Sequence, residues 1–336
     1  MISVVVATYN GEKYIIKQLE SIKNQTVKAD EVIICDDCSK DATVSIVEDY
    51  IQQNNLNGWY VHKNEKNSGY SLNFLNGLSL AKGDYVFLSD QDDLWYENKV
   101  ERLTNYLNNN PVCLSVSSRY NIIDENDNVI PNTGINFSDQ INDGSIKSVT
   151  LESQIGTSNI RGCAMCIKKE LIEKIEIIKL DDLLGHDWLI NVLACLNGEN
   201  VIINEILFGY RYHGNNTSLS AIGRKNLIGD YEKRIRGIEQ SIYAHKYILT
   251  NKEKYINITD YDIKNISKQI KFDESRLKFL KTKNLFTFIK LGFKIKNYSK
   301  IYGSAKGGIK IYFGDLAYAY HKWTSKVKKN INMKEK

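Results

Sequence analysis

Asp90, Asp92 and Asp93 occupy three of four consecutive positions directly after the apolar run YVFLS. Carboxylates this close repel one another, so a chain seldom places them together without a cation or hydrogen-bond donors beside them. Mg²⁺ and Mn²⁺ prefer hard oxygen ligands and bind through one or two carboxylates together with substrate phosphates. Alternate residues of an extended segment point the same way, which lets Asp90 and Asp92 share one ligand. The spacing predicts a site for a divalent cation and a phosphorylated substrate.

Two further polar clusters follow apolar runs in the same way. Thr8, Tyr9 and Asn10 stand at the end of ISVVVATYN, and Asp36 and Asp37 stand at the end of EVIICDD. Short, continuous apolar runs are typical of strands buried on both faces of a parallel sheet. The chain has neither a G-x-G-x-x-G sequence after its first strand nor a P-loop, so the usual dinucleotide and triphosphate sites are missing.

The elements that must position these clusters alternate between strand and helix over residues 1–100. A β-α-β-α-β-α-β order predicts a parallel, doubly wound sheet with right-handed crossovers. Ligands of such sheets bind at the carboxyl ends of the strands, where all three clusters fall. The alternation weakens beyond residue 100. There we expect a long substrate-facing loop at 124–145, a helix at 181–198, and further strands at 200–213.

The composition is that of a globular protein. Hydrophobic residues make up 42% of the 336 positions and charged residues 25%, which argues against disorder. The length allows one large α/β domain with an appendage, or two small domains. No basic region of a secretory signal opens the sequence, and no run of about 18 apolar residues predicts a spanning helix. We therefore expect a cytoplasmic protein, either free or peripheral on the cytoplasmic face of the membrane.

Six cysteines include two C-x-x-C pairs, Cys35 with Cys38 and Cys163 with Cys166. This spacing is compatible with a structural zinc site. The pairs lie in strand-like or apolar segments, however, where cysteine serves as a small hydrophobic residue. Disulfides are rare in a reducing cytosol. We interpret the cysteines as packing residues.

The charge is distributed unevenly along the chain. Residues 1–240 hold 23 Lys and Arg against 33 Asp and Glu, whereas residues 241–336 hold 22 against 7. Residues 281–336 contain 14 lysines among apolar side chains at helical spacing. Such a segment predicts contact with an anionic membrane surface, with a plain helical cap as the alternative. We expect no nucleic-acid partner, because no known binding module accompanies the charge.

The sequence resembles family-2 glycosyltransferases of the GT-A fold in the segments VVVATYNGEKYIIKQLESIKNQ, EVIICDDCSKDAT, NSGYSLNFLNGLSLAKGDYVFLSDQDD and GHDWLINVLA. The resemblance is dense over residues 1–100 and looser to about residue 217. It implies a GT-A-type, Rossmann-like, mostly parallel sheet flanked by helices over 1–220, with a nucleotide-sugar half at 1–100 and an acceptor half at 101–220. Residues 221–336 would form a helical, basic extension. DQDDLW followed by HDW is most similar to the rhamnosyltransferase-like branch, which builds bacterial surface polysaccharides.

The resemblance implies a nucleotide-sugar site in the first half of the chain. It places Asp90 near the ribose and the sugar, and Asp92 on the Mn²⁺ or Mg²⁺ ion that bridges the diphosphate. His213 is a candidate for a further metal ligand or a pyrophosphate contact. Cys38 stands where the family usually has glycine, so the turn there must accept a side chain. The other implied donor-side residues are Thr8, Tyr9 and Asn10 at the base, Asp36 and Asp37 at the pyrimidine, and Asn67, Gly69, Gln91 and Arg211.

Inverting members of the family need a carboxylate to deprotonate the acceptor hydroxyl, and they place it at the start of a helix after the donor half. The segment GHDWL fits this place, so Asp187 is the candidate base, and a helix N-terminus would keep it ionised. The alternative is that Asp187 only caps its helix. On the acceptor side we expect Arg161 and Gly162, with Trp95 and Trp188 stacking on sugars, although tryptophan more commonly packs in the core.

These features predict an inverting, metal-dependent glycosyltransferase. It would move a sugar, with L-rhamnose as one candidate, from a UDP- or dTDP-linked donor to a growing, lipid-linked bacterial polysaccharide. Alternatives are transfer to polyprenyl phosphate or to protein, and a non-catalytic nucleotide-sugar-binding subunit of a synthase complex. A metal-dependent phosphohydrolase would also use clustered aspartates, but it would not need the polar clusters at residues 8–10 and 36–37.

Overall fold

The protein forms two compact units in a computed structural model. The sheet unit comprises Met1–Thr150 and Ile160–Thr217, and the helical unit comprises Leu151–Asn159 and Ser218–Lys336. Residues 151–159 thus group with the helical unit, although they lie inside the stretch 1–220 that the sequence assigns to the first domain. The residues that the structure describes are 1–130, 141–156, 160–175, 185–213, 227–302 and 308–319.

The sheet unit follows the predicted alternation of strands and helices. The predicted helix at 181–198 is observed from His186 to Asn197, and residues 176–184 lie outside the described ranges. The predicted loop at 124–145 falls partly on residues 131–140, which are also outside them. The elements are β1 (Ile2–Thr8), α1 (Ile15–Lys23), β2 (Glu31–Asp36), α2 (Thr43–Gln53), β3 (Trp59–Lys63), α3 (Tyr70–Leu80), β4 (Tyr85–Asp90), β5 (Leu94–Trp95), α4 (Lys99–Asn109), β6 (Cys113–Ile123), β7 (Ile146–Ser148), α5 (Leu151–Gln154, in the helical unit), β8 (Met165–Lys168), α6 (Lys169–Ile175), α7 (His186–Asn197) and β9 (Glu199–Arg211).

The strands form one sheet in the order β3-β2-β1-β4-β8-β6-β9-β5, and β7 pairs with β9. Strands β1 to β4 are parallel to one another, as are β6 and β9, and β8 runs antiparallel between β4 and β6. The mostly parallel sheet flanked by helices confirms the predicted fold class. Because β1 lies between β2 and β4, the crossovers reverse direction there, and this switch point opens a crevice at the strand ends.

The pairing register brings the three polar clusters together. Thr8 of β1 pairs with Asp36 of β2, and Ala7 of β1 pairs with Asp90 of β4. On one face of these strands, a buried apolar cluster that includes Val4, Val6, Ile34 and Phe87 packs with α1 and α4. Burial of this cluster supplies the main stabilising free energy, at about 25 cal/mol per Å² of apolar surface. The apolar core therefore holds the strand ends, and their polar side chains, at one edge of the sheet.

The helical unit contains α8 (Leu227–Thr250), α9 (Asp260–Thr282), α10 (Leu285–Gly292), α11 (Ile295–Tyr302) and the helical residues 308–319, which we call α12. Helix α9 begins with a capping box, in which the Thr259 side chain accepts from the Asp262 N–H and Asp262 accepts from the Thr259 N–H. It ends at Lys283, which has a left-handed conformation with φ of 56°. Within the described ranges, no helix has the length and apolar character needed to cross a membrane.

A buried ion-pair network stabilises the helical unit. Asp315 is fully buried and accepts hydrogen bonds from Arg234 Nε at 2.6 Å, Arg276 Nε at 3.0 Å and Tyr298 OH at 3.0 Å. Burial alone would raise the pKa of Asp315, but the guanidinium groups of Arg276 and Arg234 outweigh it and lower the pKa below its usual value. The ionised carboxylate is therefore needed to compensate two arginines.

We expect Asp315→Asn to destabilise the helical unit by about 3–5 kcal/mol, because it leaves the partly buried Arg234 without its counter-charge and the buried Arg276 with Asp273 alone, at 3.5 Å. Faster hydrogen exchange of α9 peptides in the full chain would report the loss. Glu274→Gln is the matched control. Glu274 pairs with Lys246 at the surface, where an ion pair contributes at most about 1 kcal/mol. Equal exchange in the two variants would contradict the importance of the network.

Candidate active site

The turn after β1 is joined to the loop after β2 through the buried Asp36. The Asp36 carboxylate accepts hydrogen bonds from the Thr8 hydroxyl at 3.1 Å and from the Ser39 N–H at 2.8 Å. The Asn10 N–H donates to Ser39 Oγ at 2.9 Å, and Asn10 itself has a positive φ of 50°. Tyr9 remains 47% exposed between these anchored residues. Asp36 therefore organises the turn, and its predicted contact with a pyrimidine stays a prediction.

Asp37 joins the same loop to the start of α3. Its carboxylate accepts hydrogen bonds from the backbone N–H groups of Ser68 and Gly69 and from the Asn64 side chain, each at 2.8 Å. The Asn67 side chain donates to the Asp37 carbonyl oxygen at 3.1 Å. Gly69 has a φ of 85°, which favours glycine there. Protein donors thus satisfy the acceptor oxygens of this carboxylate and hold the loop at residues 67–69 beside the strand end.

Cys38 occupies the position in this turn where the resemblance implies a glycine. It adopts φ of 66°, in the left-handed region that residues other than Gly, Asn and Asp seldom occupy. Its thiol lies 3.2 Å from the Asn64 carbonyl oxygen, within the range of a weak hydrogen bond. The turn therefore does accept a side chain, and the backbone takes the conformation that glycine would have.

Gln91 connects the ends of β1 and β4. Its Oε1 accepts a hydrogen bond from the Tyr9 N–H at 2.8 Å, and its Nε2 donates to the Tyr9 carbonyl oxygen at 3.1 Å. Gly11 permits this approach, because a Cβ there would lie only 2.1 Å from Gln91 Oε1. The amide of Gln91 is thus used to fix the position of Tyr9 relative to the aspartates beside it.

Asp90 lies in a cluster of charged groups at the end of β4. Burial raises its pKa to about 6, and the negative charge of Asp92 acts in the same direction. The positive charge of Arg161 lowers the pKa and the charge of Asp187 raises it. Residues from three separate parts of the chain therefore act on one carboxylate. This cluster, with Asp90 at its centre, is the candidate active site.

Asp93 lies below this cluster and is fully buried. Its Oδ1 accepts a hydrogen bond from the Arg211 N–H at 3.2 Å, whereas its Oδ2 has no hydrogen-bond partner among the described residues. Burial, followed by the charges of Asp90 and Asp92, raises its pKa well above the usual value. Asp93 is thus a buried supporting group, unlike the two aspartates before it.

Lys99 supplies a buried positive charge beside Asp93. Its ammonium group donates to the Cys163 carbonyl oxygen at 2.6 Å and lies 4.0 Å from the ring centroid of Trp95 and 4.2 Å from that of Phe208. Burial lowers the pKa of Lys99 to about 8. Trp95 is only 3% exposed, so the expectation that it stacks on a sugar is wrong. Its indole instead covers a buried cation from within the core.

Arg211, which the resemblance placed on the donor, is fully buried and held by the protein. Its Nε donates to the Asp92 carbonyl oxygen at 2.7 Å, and its Nη1 donates to the Asp124 carbonyl oxygen at 2.7 Å. Its Nη2 forms an ion pair with Asp127 at 2.5 Å. With the side chain at 0% exposure, the expected contact with a phosphate is wrong for this structure. Arg211 instead fixes the backbone of Asp92.

Two sets of side chains offer ligand atoms to a cation. His213 Nε2 lies 2.7 Å from Asp92 Oδ2, and both side chains are partly exposed. One ligand atom from each of Asp90, Asp93 and Cys163 lies within 4.8 Å of the others. Burial raises the pKa of the Cys163 thiol well above its usual value, so it stays protonated and is a poor ligand for a hard cation. The carboxylate and imidazole of the first set suit Mn²⁺ better.

Asp187 lies in the first turn of α7. Its Oδ1 accepts a hydrogen bond from the Trp188 N–H at 2.7 Å, and burial raises its pKa to about 6. Gly185 leaves room for the carboxylate, because a Cβ there would lie 2.3 Å from Asp187 Oδ1. Trp188 is 6% exposed and packs in the core, so its predicted stacking on a sugar is also wrong.

Arg161 supplies positive charge to both halves of the site. Its Nε donates to Tyr120 OH at 3.1 Å and its Nη1 to Tyr210 OH at 3.3 Å, and the guanidinium lies 4.2 Å from the Tyr210 ring centroid. Its charge lowers the pKa of both Asp90 and Asp187. The two tyrosines stand on β6 and β9, and their types and spacing gave no signal of this role in the sequence.

The start of α7 is packed against α3. The His186 N–H donates to Ser71 Oγ at 3.2 Å, and the imidazole stacks on Phe74 with centroids 4.2 Å apart. Gly162 allows this packing, because a Cβ there would lie 2.2 Å from His186 Nε2. Burial lowers the pKa of His186 to about 3, so the ring is neutral. Gly162, predicted on the acceptor side, therefore permits the close packing that positions Asp187.

The comparisons with known proteins agree with this fold. The chain matches the family model described as Glycosyl transferase family 2 over residues 3–176. An uncharacterised glycosyltransferase of Methanocaldococcus jannaschii is 27% identical over 237 residues, which cover 69% of this chain and 77% of that protein. The dTDP-rhamnosyl transferase RfbG of Shigella flexneri is 28% identical over 229 residues, which cover 63% of this chain and 72% of that protein.

Among solved structures, S. aureus TarS 1–349 in complex with UDP-GlcNAc has a TM-score of 0.58 at 18% identity, and covers 89% of this chain and 81% of that one. The architecture is therefore that of the GT-A glycosyltransferases. The chain belongs to glycosyl transferase family 2, and it is a glycosyltransferase. Enzymes of this family act with nucleotide-sugar donors and commonly use divalent metals.

We expect Gln91→Glu to lower the free energy of unfolding by about 1–3 kcal/mol. The new carboxylate cannot donate to the Tyr9 carbonyl oxygen, and it adds negative charge beside Asp90 and Asp92. Urea unfolding at neutral pH measures the change. Gln52→Glu, the same substitution at an exposed position of α2, serves as the control and should stay within about 0.5 kcal/mol of the wild type. Equal stabilities of the two variants would show that Gln91 is not a structural connection.

Proposed function

We propose that this protein is an inverting, metal-dependent glycosyltransferase that uses a nucleoside-diphosphate sugar. The observation that carries the proposal is that the charges of Asp92, Asp187 and Arg161 all act on Asp90 at the end of β4. This arrangement supports a donor site and a proton acceptor on adjacent elements. The assignment of residues 1–100 to the donor, 101–220 to the acceptor and 221–336 to a separate basic region is part of the same proposal.

The donor would lie across the switch point of the sheet. Thr8, Tyr9 and Asn10 would border the base, with Asp36 and Asp37 holding the loop opposite them. Asn67, Gly69 and Gln91 would complete this border. We propose a UDP- or dTDP-linked donor, and the names of two similar proteins support this choice: one is a dTDP-rhamnosyl transferase and the other was solved with UDP-GlcNAc. L-Rhamnose is the sugar that we propose first.

Asp92 and His213 would hold a Mn²⁺ or Mg²⁺ ion, and Asp90 would contact the sugar and ribose. A divalent cation, when bound, neutralises the diphosphate and so favours its departure. Arg211 supports this function from below, because it fixes the backbone of Asp92. Lys99 lies in the same buried layer as Asp93, and its positive charge lowers the pKa of that carboxyl group against the larger effect of burial.

Asp187 would act as the general base. It accepts the proton of the acceptor hydroxyl while that oxygen forms a bond to the anomeric carbon and the bond to the diphosphate breaks, with inversion. A pKa of about 6 leaves Asp187 ionised at neutral pH and still able to accept a proton. Arg161 favours the ionised form, because its charge lowers this pKa. If Asp187 only capped α7, it would not need the positive charge of Arg161.

The proposed acceptor is a growing, lipid-linked bacterial surface polysaccharide. The excess of lysine in residues 281–336 supports a peripheral position on the cytoplasmic face of the membrane, where such an acceptor would be found. Transfer to polyprenyl phosphate is less well supported, because a phosphate is already nucleophilic and would not need Asp187. A purely non-catalytic nucleotide-sugar-binding subunit would not need Asp187.

We expect Asp187→Asn to lower the rate of transfer by at least about a hundredfold, because the amide cannot accept the proton. Donor binding in the presence of Mn²⁺ should be retained, since Asp187 is not among the proposed donor ligands. Calorimetric titration with UDP and dTDP, beside a transfer assay, separates the two effects. Asp49→Asn, which makes the same substitution at an exposed position of α2, is the control. Transfer at the wild-type rate would show that Asp187 is not the base.

We expect kcat to depend on pH through Asp187. Because its pKa in the folded protein is raised to about 6, the base is ionised above this pH and protonated below it. The value of kcat at saturating donor should therefore be constant from about pH 7 upward and fall about tenfold per pH unit below 6. A profile that is flat between pH 5 and 7 would contradict this assignment.

A further inference from the structure

Two helices of the helical unit leave large apolar side chains exposed. Phe293, directly after α10, is 86% exposed, and Phe286 within α10 is 64% exposed. On α12, Phe313 is 57% exposed. We call the set to which they belong the apolar face; its members are Leu285, Phe286, Ile289, Phe293, Ile309 and Phe313. Isolated apolar side chains are common on protein surfaces, but six large ones within or directly after two helices are not.

The core of the unit does not account for these side chains. Helix α10 already buries Phe288 and Leu291, and Phe288 stacks on Tyr312 of α12 with centroids 4.2 Å apart. Phe279 of α9 packs against the same Phe288 at 5.0 Å. A surface helix normally has a polar side opposite its buried one. Helix α10 instead has apolar residues on both sides, so its outer side is available for a second contact.

The charge around the apolar face is positive and uncompensated. Lys290, Lys294, Lys296 and Lys310 are exposed, and none of them has an ion-pair partner among the described residues. The Lys290 ammonium lies 4.4 Å from the ring centroid of Phe286. By contrast, Lys246 and Lys281 in the same unit pair with Glu274 and Glu239. Asp315 is the single acidic residue between positions 283 and 319, and it is buried and paired.

We propose that the apolar face and its four lysines bind an anionic membrane surface. Phenylalanine, isoleucine and leucine partition into the boundary between headgroups and acyl chains, while unpaired lysines attract anionic lipids. A second copy of the chain would bring the same positive charges together. Residues 320–336 hold six lysines and one glutamate. Repulsion between these lysines and those around the apolar face therefore also opposes binding of this segment to the face. The partner whose charge and apolarity match both features is the surface of an anionic bilayer.

This inference does not depend on the transfer reaction. It is tested with the full chain and vesicles of phosphatidylcholine, either pure or with about a third phosphatidylglycerol. We expect co-sedimentation with the anionic vesicles that is lost at high salt. Phe286→Ser with Phe293→Ser should weaken partitioning by about tenfold per phenylalanine. Lys290→Glu with Lys294→Glu should weaken it by about fivefold per lysine.

Two matched controls lie elsewhere in the helical unit. Ile256→Ser removes a side chain that is 77% exposed, and Lys268→Glu with Lys271→Glu makes the same charge change on α9. Both controls should bind within about twofold of the wild type, since neither site belongs to the apolar face. Because the substituted side chains are exposed, thermal unfolding should be unchanged in every variant.

Three results would overturn the inference. The first is a wild-type chain that does not sediment with anionic vesicles, or that binds pure phosphatidylcholine equally well. The second is an equal loss of binding in the variants and their controls. The third is a wild-type chain that light scattering shows to be a dimer, and that the phenylalanine substitutions convert to a monomer, because the face would then be covered by a second copy. Transfer to a soluble acceptor, measured separately, tests the proposed function.

Discussion

The crowding of carboxylates at one edge of the sheet is the constraint on which the rest of the structure depends. Two of these groups, Asp36 and Asp37, receive several hydrogen bonds from nearby loops and so stabilise them. Asp90 and Asp187 receive far less compensation, and burial raises the pKa of each to about 6. Ionised Asp90 and Asp187 in these partly buried positions therefore lower the stability of the folded protein. Such a cost is typical of functional sites.

The surrounding structure keeps these charges in place. Arg211 holds the backbone of Asp92 from below, and Gln91 connects the ends of β1 and β4. Arg161 is fixed by two tyrosines, and its charge lowers the pKa of both Asp90 and Asp187. Each of these supports is itself buried or hydrogen-bonded, so the geometry exists before any substrate binds. A preorganised site of this kind avoids reorganisation at the moment of reaction.

Local patterns in the sequence predicted more of this structure than distant contacts did. Apolar runs and turn residues predicted β1 to β4 and the polar strand ends, because each depends on a few neighbouring residues. The place of Asp187 at the start of a helix was implied by the resemblance and not by a local pattern. The burial of Trp95 and Arg211 was not predicted. Trp95 lies on β5, which pairs with β9, a strand far along the sequence, and Arg211 is the last residue of β9. No pattern in the sequence predicted the burial of Lys99, because a lysine at the start of an amphipathic helix normally faces solvent. The pairing of distant strands decides such burial.

The most direct test is the Mn²⁺ dependence of nucleoside-diphosphate binding by the wild-type chain and by Asp92→Asn. The account requires that the carboxylates bind a cation together with a diphosphate. Calorimetric titration of the wild type with UDP or dTDP should therefore show at least about tenfold tighter binding with Mn²⁺ than with a chelator. Asp92→Asn should lose most of this difference. Equal affinity with and without Mn²⁺ in the wild type would contradict the central claim, because the acidic edge would then bind the diphosphate unaided.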